Sequence, residues 1–267
     1  MIFFLFIKNH YRTVLIASIL QHVTLNTYSQ SSRQIDRQQH GWYMFFGNHL
    51  LTNKWSIHSE YQWRRSEIIT RAQQSLLRLG IDYKWKDNVT LTIGYGHIGT
   101  YPYGKQATNR YFDEHRIWQT LTVQQRLGKI NLSHRYRLEQ RFVERYVYNP
   151  KQELVFDKIV YTNRFRYLLS VTYPLSKVSP KSTYLFARAY EEAFVSFGKN
   201  VRLNIYDQNR AYIAIGYQYN RMGNIQLGYL NQLIIKSDGV RVENNHTLQC
   251  GVTYHIDFRK KSLEQKD

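Results

Sequence analysis

The 267-residue chain carries 37 Lys and Arg against 19 Asp and Glu, a formal charge of +18, but the arginines stand singly among apolar residues. Basic tails that bind nucleic acid come as blocks, so the pattern disfavours a nucleic-acid partner and leaves an anionic surface or small acidic solutes. A single cysteine, Cys250, excludes an intrachain disulfide, while 15% aromatic residues and only 4 prolines favour strands and suit a membrane–water boundary.

In chain order, residues 1–29 read as a secretory signal. Lys8 and Arg12 lead into the apolar run Thr13 to Leu20, and Thr27 and Ser29 place short polar residues before a cut after Ser29. That run is too short to span a bilayer, and no later stretch approaches the roughly 20 apolar residues of a transmembrane helix. Export is therefore expected, with an N-terminal segment at 30–40, a barrel at 41–258 and a charged tail, RKKSLEQKD, at 259–267.

From Gly41 onward the pattern is strand, turn, strand. Predicted strands are 41–50, 54–64, 73–85, 89–99, 113–127, 129–143, 159–174, 183–196, 208–220, 224–236 and 243–258. The segment KINLSHRYRLEQRFVER shows the pattern well. Ile130, Leu132, His134, Tyr136, Leu138 and Phe142 alternate with Asn131, Ser133, Arg135, Arg137, Glu139 and Arg141, which is the period-2 signature of a strand with one apolar and one polar face. Short connections (52–54, 86–88, 128–129, 221–223) alternate with longer, more polar ones (65–72, 100–112, 144–158, 197–207, 237–242), the arrangement of outer-membrane barrels.

Taken together, these features predict an all-β fold: a transmembrane antiparallel up-and-down β-barrel in the outer membrane, apolar faces to lipid and polar faces to the lumen. Eleven strands are countable. Bacterial barrels have even numbers, so twelve is the favoured count, with the extra strand near 28–40, and ten is the alternative.

The lumen-facing candidates form a charge network: Glu114, Arg116, Arg135, Arg137, Glu139, Arg141, Arg164 and Arg166 from three consecutive strands, joined by Arg188, Glu191, Asp207 and Arg210. Glu191 is expected to face inward as a partner for Arg188 or Arg210. Such a network either closes a small barrel with compensating charges or attracts small anionic solutes. The last strand, NHTLQCGVTYHIDF, resembles the assembly signal of outer-membrane barrels through Gln249, Gly251, Tyr254, Ile256 and Phe258. Expected partners are thus outer-membrane lipids, lipopolysaccharide and the barrel-assembly machinery.

Neither a cofactor nor a metal is expected. His115, His134, His246 and His255 lack metal-ligand spacing, and His58 and His97 have no serine or carboxylate pattern nearby. No catalytic set is identified. A non-enzymatic barrel is the favoured reading and an outer-membrane hydrolase acting on lipid, lipopolysaccharide or peptide the alternative.

Several segments also resemble a family of Gram-negative outer-membrane barrels, domain of unknown function 2490. They are Glu114-His115-Arg116 with Trp118, Arg135 to Arg141, Arg164-Phe165-Arg166-Tyr167, Thr172-Tyr173-Pro174-Leu175, Tyr190-Glu191-Glu192-Ala193-Phe194, and Asp207-Gln208-Asn209-Arg210 entering a strand that ends Gly216-Tyr217. The resemblance implies architecture and location, and brings no assigned activity.

Overall fold

A computed structural model describes residues 33–105, 107–179 and 182–259. Among them eleven strands form one closed barrel: β1 (Gln34–Leu50), β2 (Trp55–Ser66), β3 (Arg71–Lys86), β4 (Val89–Thr100), β5 (Phe112–Leu127), β6 (Ile130–Tyr148), β7 (Leu154–Pro174), β8 (Tyr184–Phe197), β9 (Tyr206–Asn220), β10 (Gly223–Ile235) and β11 (Arg241–Tyr254). Each strand pairs antiparallel with the next from β1 to β11. No described helix is long and apolar enough to cross a membrane.

The favoured count of twelve is corrected to eleven. Residues 34–40, where an extra strand was expected, instead lengthen β1, and residues 1–32 lie outside the described part. Parity then dictates how the barrel closes. In an up-and-down array of eleven, the first and last strands run in the same direction, so the seam is parallel. A parallel bridge joins Leu50 to Asp257 there, with the Leu50 N–H donating to Ile256 and the Phe258 N–H donating to Leu50.

A second correction concerns residues 144–158, expected as a long loop. Both strands of the β6–β7 hairpin continue through most of it, pairing as far as Tyr148 and Leu154 across a register shift at Arg145/Tyr146, and a short turn remains at 149–153. The apolar β-formers Tyr146, Val147, Val155 and Phe156 explain the extension.

The alternation of faces survives in three dimensions. Along β9, Tyr212, Ala214 and Gly216 are buried inside while Ile213, Ile215 and Tyr217 are exposed outside. The same exposed apolar row continues through Ile57 and Tyr61 on β2, Leu77, Leu79 and Ile81 on β3, Leu91 and Ile93 on β4, and Leu227 and Tyr229 on β10. One end of the barrel carries tight turns such as 87–88, 128–129 and 221–222, and the other carries the connections 101–111, 149–153, 198–205 and 236–240. These are called the turn end and the loop end below.

Inside, large rings fit where the facing strand is bare. The Trp118 indole, fully buried, lies against Gly94, where a Cβ would come 2.5 Å from Trp118 Cζ2. Trp42, Met44, Tyr212, Ala214 and Leu230 form the apolar cluster on the opposite wall.

Candidate functional site

The period-2 geometry of β5, β6 and β7 sends every second side chain inward, and their even or odd positions are rich in arginine and glutamate. Glu139 on β6 is wholly buried at the centre of the lumen. Its Oε1 accepts from Arg166 Nη1 at 2.6 Å and its Oε2 from Arg164 Nη2 at 2.6 Å, with Arg78 at 3.6 Å and Arg116 at 3.8 Å. Strands β3 and β6 are not neighbours, so the Arg78–Glu139 contact crosses the bore. Arg78 also reaches Glu60 on β2 at 2.8 Å, which completes a bridge from one wall to the other.

Two further carboxylates are forked by arginines. Glu114 receives Arg116 and Arg141, each Nε at 2.5 Å. Glu192 Oε1 receives Arg135 Nη2 at 2.7 Å and Arg166 Nε at 2.9 Å, with Arg210 3.6 Å from Oε2. Aromatic faces take up the remaining cationic surface. Arg210 lies 5.0 Å from the Trp42 ring and 4.8 Å from Phe194, Arg166 lies 4.5 Å from Phe194, and Arg64 lies 3.9 Å from Trp42. Buried charges at such density persist only when paired and hydrogen-bonded.

Of the residues expected in the lumen, Glu114, Arg116, Arg135, Arg137, Glu139, Arg141, Arg164, Arg166, Arg188, Asp207 and Arg210 all line the interior. Glu191 does not. It is exposed on the outer face, where Asn209 Nδ2 donates to it at 3.2 Å, and its neighbour Glu192 takes the interior place. The reason is parity: Arg188 and Arg210 face inward, and only an even separation from Arg188 shares its face. Asp207 reaches the interior through a β-bulge opposite Phe194/Val195, accepting from Ser196 Oγ at 2.9 Å and lying 3.6 Å from Arg164. Glu60, Arg64, Arg78 and Trp42 were missed. The alternation of Glu60, Gln62 and Arg64 against Tyr61 and Trp63 was the available signal.

The plug of Trp42, Arg78, Arg166 and Arg210 divides the lumen into two chambers of about 250 Å³ each. The loop-end chamber includes Arg64, Glu114, Arg116, Arg141, Arg164 and Asp207, and the turn-end chamber includes Glu60, Arg135, Arg137, Arg188, Tyr190 and Glu192. Among the described residues, the chamber linings together with Glu139 hold ten arginines and five carboxylates, and Asp36, Asp82 and Glu243 are buried in the interior as well. Tyr103, just after β4, lines the loop-end chamber: its Oη donates to Glu243 at 3.2 Å, and burial together with that carboxylate pushes the phenol pKa up.

The histidines are placed differently from expectation. His97 pairs with Asp113 at 2.9 Å on the outer face, and Asp113 also accepts from Tyr111 Oη at 2.5 Å; the sequence showed no carboxylate pattern near His97 because the partner comes from the next strand. Three other outward histidines meet cross-strand tyrosines, His115 with Tyr95, His134 with Tyr167 and His246 with Tyr229, at 2.5, 2.9 and 2.6 Å. His49 Nε2 lies 3.0 Å from Ser59 Oγ, but its Nδ1 accepts the Ile256 N–H at 3.3 Å. The proton therefore sits on Nε2, which donates to the serine, the tautomer opposite to that of a general base. Among the described residues, no cluster of histidine, cysteine and carboxylates has metal-holding geometry.

The assembly-signal residues divide at the end of β11. Gln249 and Gly251 are buried on the inner face, whereas Ile256 and Phe258 run on beside Leu50 at the seam with their side chains exposed. A family model described as "Protein of unknown function (DUF2490)" matches residues 39–244. No curated protein and no solved structure matches the chain.

Proposed function

From the premise that the chain belongs to the DUF2490 family, we propose that it is an integral outer-membrane β-barrel, non-enzymatic, whose lumen is closed by an arginine–carboxylate network. The observation that carries this reading is the Glu60–Arg78–Glu139–Arg166–Glu192 chain, which crosses the bore and separates two small chambers. The exposed apolar rows outside the barrel support a lipid-facing surface, because so much contiguous apolar area is unfavourable in water. The signal-like N-terminus and the unequal connections at the two ends support export and insertion.

Planar-bilayer recording of the purified protein, with the reversal potential read under a salt gradient, tests the closed lumen. Wild type is expected to conduct almost nothing. A steady conductance with cation preference would overturn the reading, since fixed arginines raise the local anion concentration. Cell fractionation tests location, and recovery in the soluble fraction would overturn that part.

The hydrolase reading rests on the His97–Asp113 pair, a carboxylate–histidine couple on the outer surface. No serine, threonine or cysteine among the described residues hydrogen-bonds to His97, so the couple has no nucleophile to activate. The non-enzymatic reading is therefore preferred.

A further inference from the structure

The turn-end chamber holds two guanidinium groups that the network does not neutralise. Arg137, 3% exposed, is anchored only through Nε, which donates to Thr120 Oγ1 at 3.0 Å, while its Cζ stands 4.6 Å from the Trp118 ring. Arg188 is held in the same way, Nε donating to Ser170 Oγ at 3.1 Å. Among the described residues neither has a carboxylate within ion-pair distance, and the terminal nitrogens of both have no hydrogen-bond partner. Arg135 lines the same chamber and contributes a third positive charge near both, but its one carboxylate, Glu192, is shared with Arg166.

This is an unusual arrangement for a filled lumen. Guanidinium groups facing an enclosed chamber favour a counter-charge, and the two carboxylates that line it are already engaged, Glu60 by Arg78 and Glu192 by Arg135 and Arg166. Each Nε anchor leaves the terminal nitrogens of its guanidinium without a protein partner, and such a pair of donors is the fork that matches an oxyanion bidentately. Gln226 and Gln249, on the opposite wall of the chamber, add neutral polar groups with no negative charge to repel an anion. A volume of about 250 Å³ admits an ion of phosphate size with some water, not a lipid headgroup with its chains.

We propose that the turn-end chamber is a binding site for a small tetrahedral oxyanion, phosphate or sulfate, held between Arg137 and Arg188 with Arg135 as the long-range cation. The site deepens the charge-filled lumen proposed above, and it is independent of whether the barrel conducts or where it resides.

The test is calorimetric titration of the full-length barrel, folded in detergent, with inorganic phosphate at constant ionic strength set by sodium chloride. The expected result is one saturable site per chain and a thermal midpoint that rises with phosphate. In Arg188→Gln, whose half-buried side chain is the safer to replace, affinity should fall at least tenfold while the barrel keeps its heat-modifiable gel mobility. Arg137→Gln should do the same, and Arg188→Lys should lose part of the affinity, because a point charge keeps attraction without the fork. Heats equal to those of a chloride-only titration, or unchanged phosphate affinity in Arg188→Gln, would overturn the proposal. Conductance in bilayers, measured separately, would count against the closed lumen and not against this site.

Discussion

Glu139 is the residue on which the interior depends most. One carboxylate contacts Arg78, Arg116, Arg164 and Arg166, and none of its surface meets solvent. Whether such a cluster adds net stability over an apolar filling is a separate question, because desolvation offsets much of the attraction. Removing the shared partner is different, since it leaves buried cations facing one another. Glu139→Ala is expected to destabilise the barrel by about 3–5 kcal/mol, read as a lower midpoint of denaturant unfolding in detergent. A midpoint unchanged from wild type would show that water or ions replace the carboxylate without cost. The outward histidines illustrate a gentler solution: His115, His134 and His246 each pair Nδ1 with a tyrosine hydroxyl on a neighbouring strand, which helps them sit among apolar neighbours.

The strands divide the labour between two faces, and each face can be tested separately. Ile213, 63% exposed at the middle of β9, belongs to the outer apolar row. In water, replacing so exposed a residue changes stability by no more than about 0.5 kcal/mol. Against hydrocarbon, Ile213→Arg should cost about 2–4 kcal/mol, measured by equilibrium folding into lipid vesicles. A near-neutral result would remove the lipid-facing assignment of β9. Connections obey simpler rules. In the one between β10 and β11, Asp238 accepts the Arg241 backbone N–H and its guanidinium, and also the Val240 N–H, and these donors hold its carboxyl near 2. The folded value lies below the ordinary 3.8, so the contribution is complete above that pH and is lost as pH falls toward 2. An NMR titration of the Asp238 carboxyl should show a midpoint of about 2, and a midpoint near 4 would mean that these contacts do not form in solution.

At the scale of the molecule, the odd strand number is the main consequence of the fold. It makes the seam parallel and brings Leu50 opposite Asp257, residues separated by nearly the whole barrel in sequence. With Cys250 replaced by serine, a Leu50→Cys, Asp257→Cys variant should form an intramolecular disulfide on mild oxidation, seen as a mobility shift reversed by reductant. A twelve-stranded barrel would insert a strand between these positions, roughly 5 Å wider per strand, and no cross-link would form. The same closure sets the bore, which is narrow enough for β3 to touch β6 through Arg78 and Glu139.

The sequence by itself located the strand segments to within a few residues at most ends, the inward and outward faces, and eleven of the lumen residues, because period-2 alternation is local and repeats over long strands. It determined the family as well, through short motifs kept in order along most of the chain. Three things were left to the tertiary structure. Strand number and the parallel seam are global, since nothing within a strand records which strand it closes against. The β-bulge that turns Asp207 inward and the parity that selects Glu192 over Glu191 depend on register with a neighbour. The contacts of Glu60 and Arg78 across the bore, and the pairing of His97 with Asp113, join residues on different strands. Their separation in sequence carries no sign of contact, and only closing the sheet into a cylinder of this diameter brings them within reach.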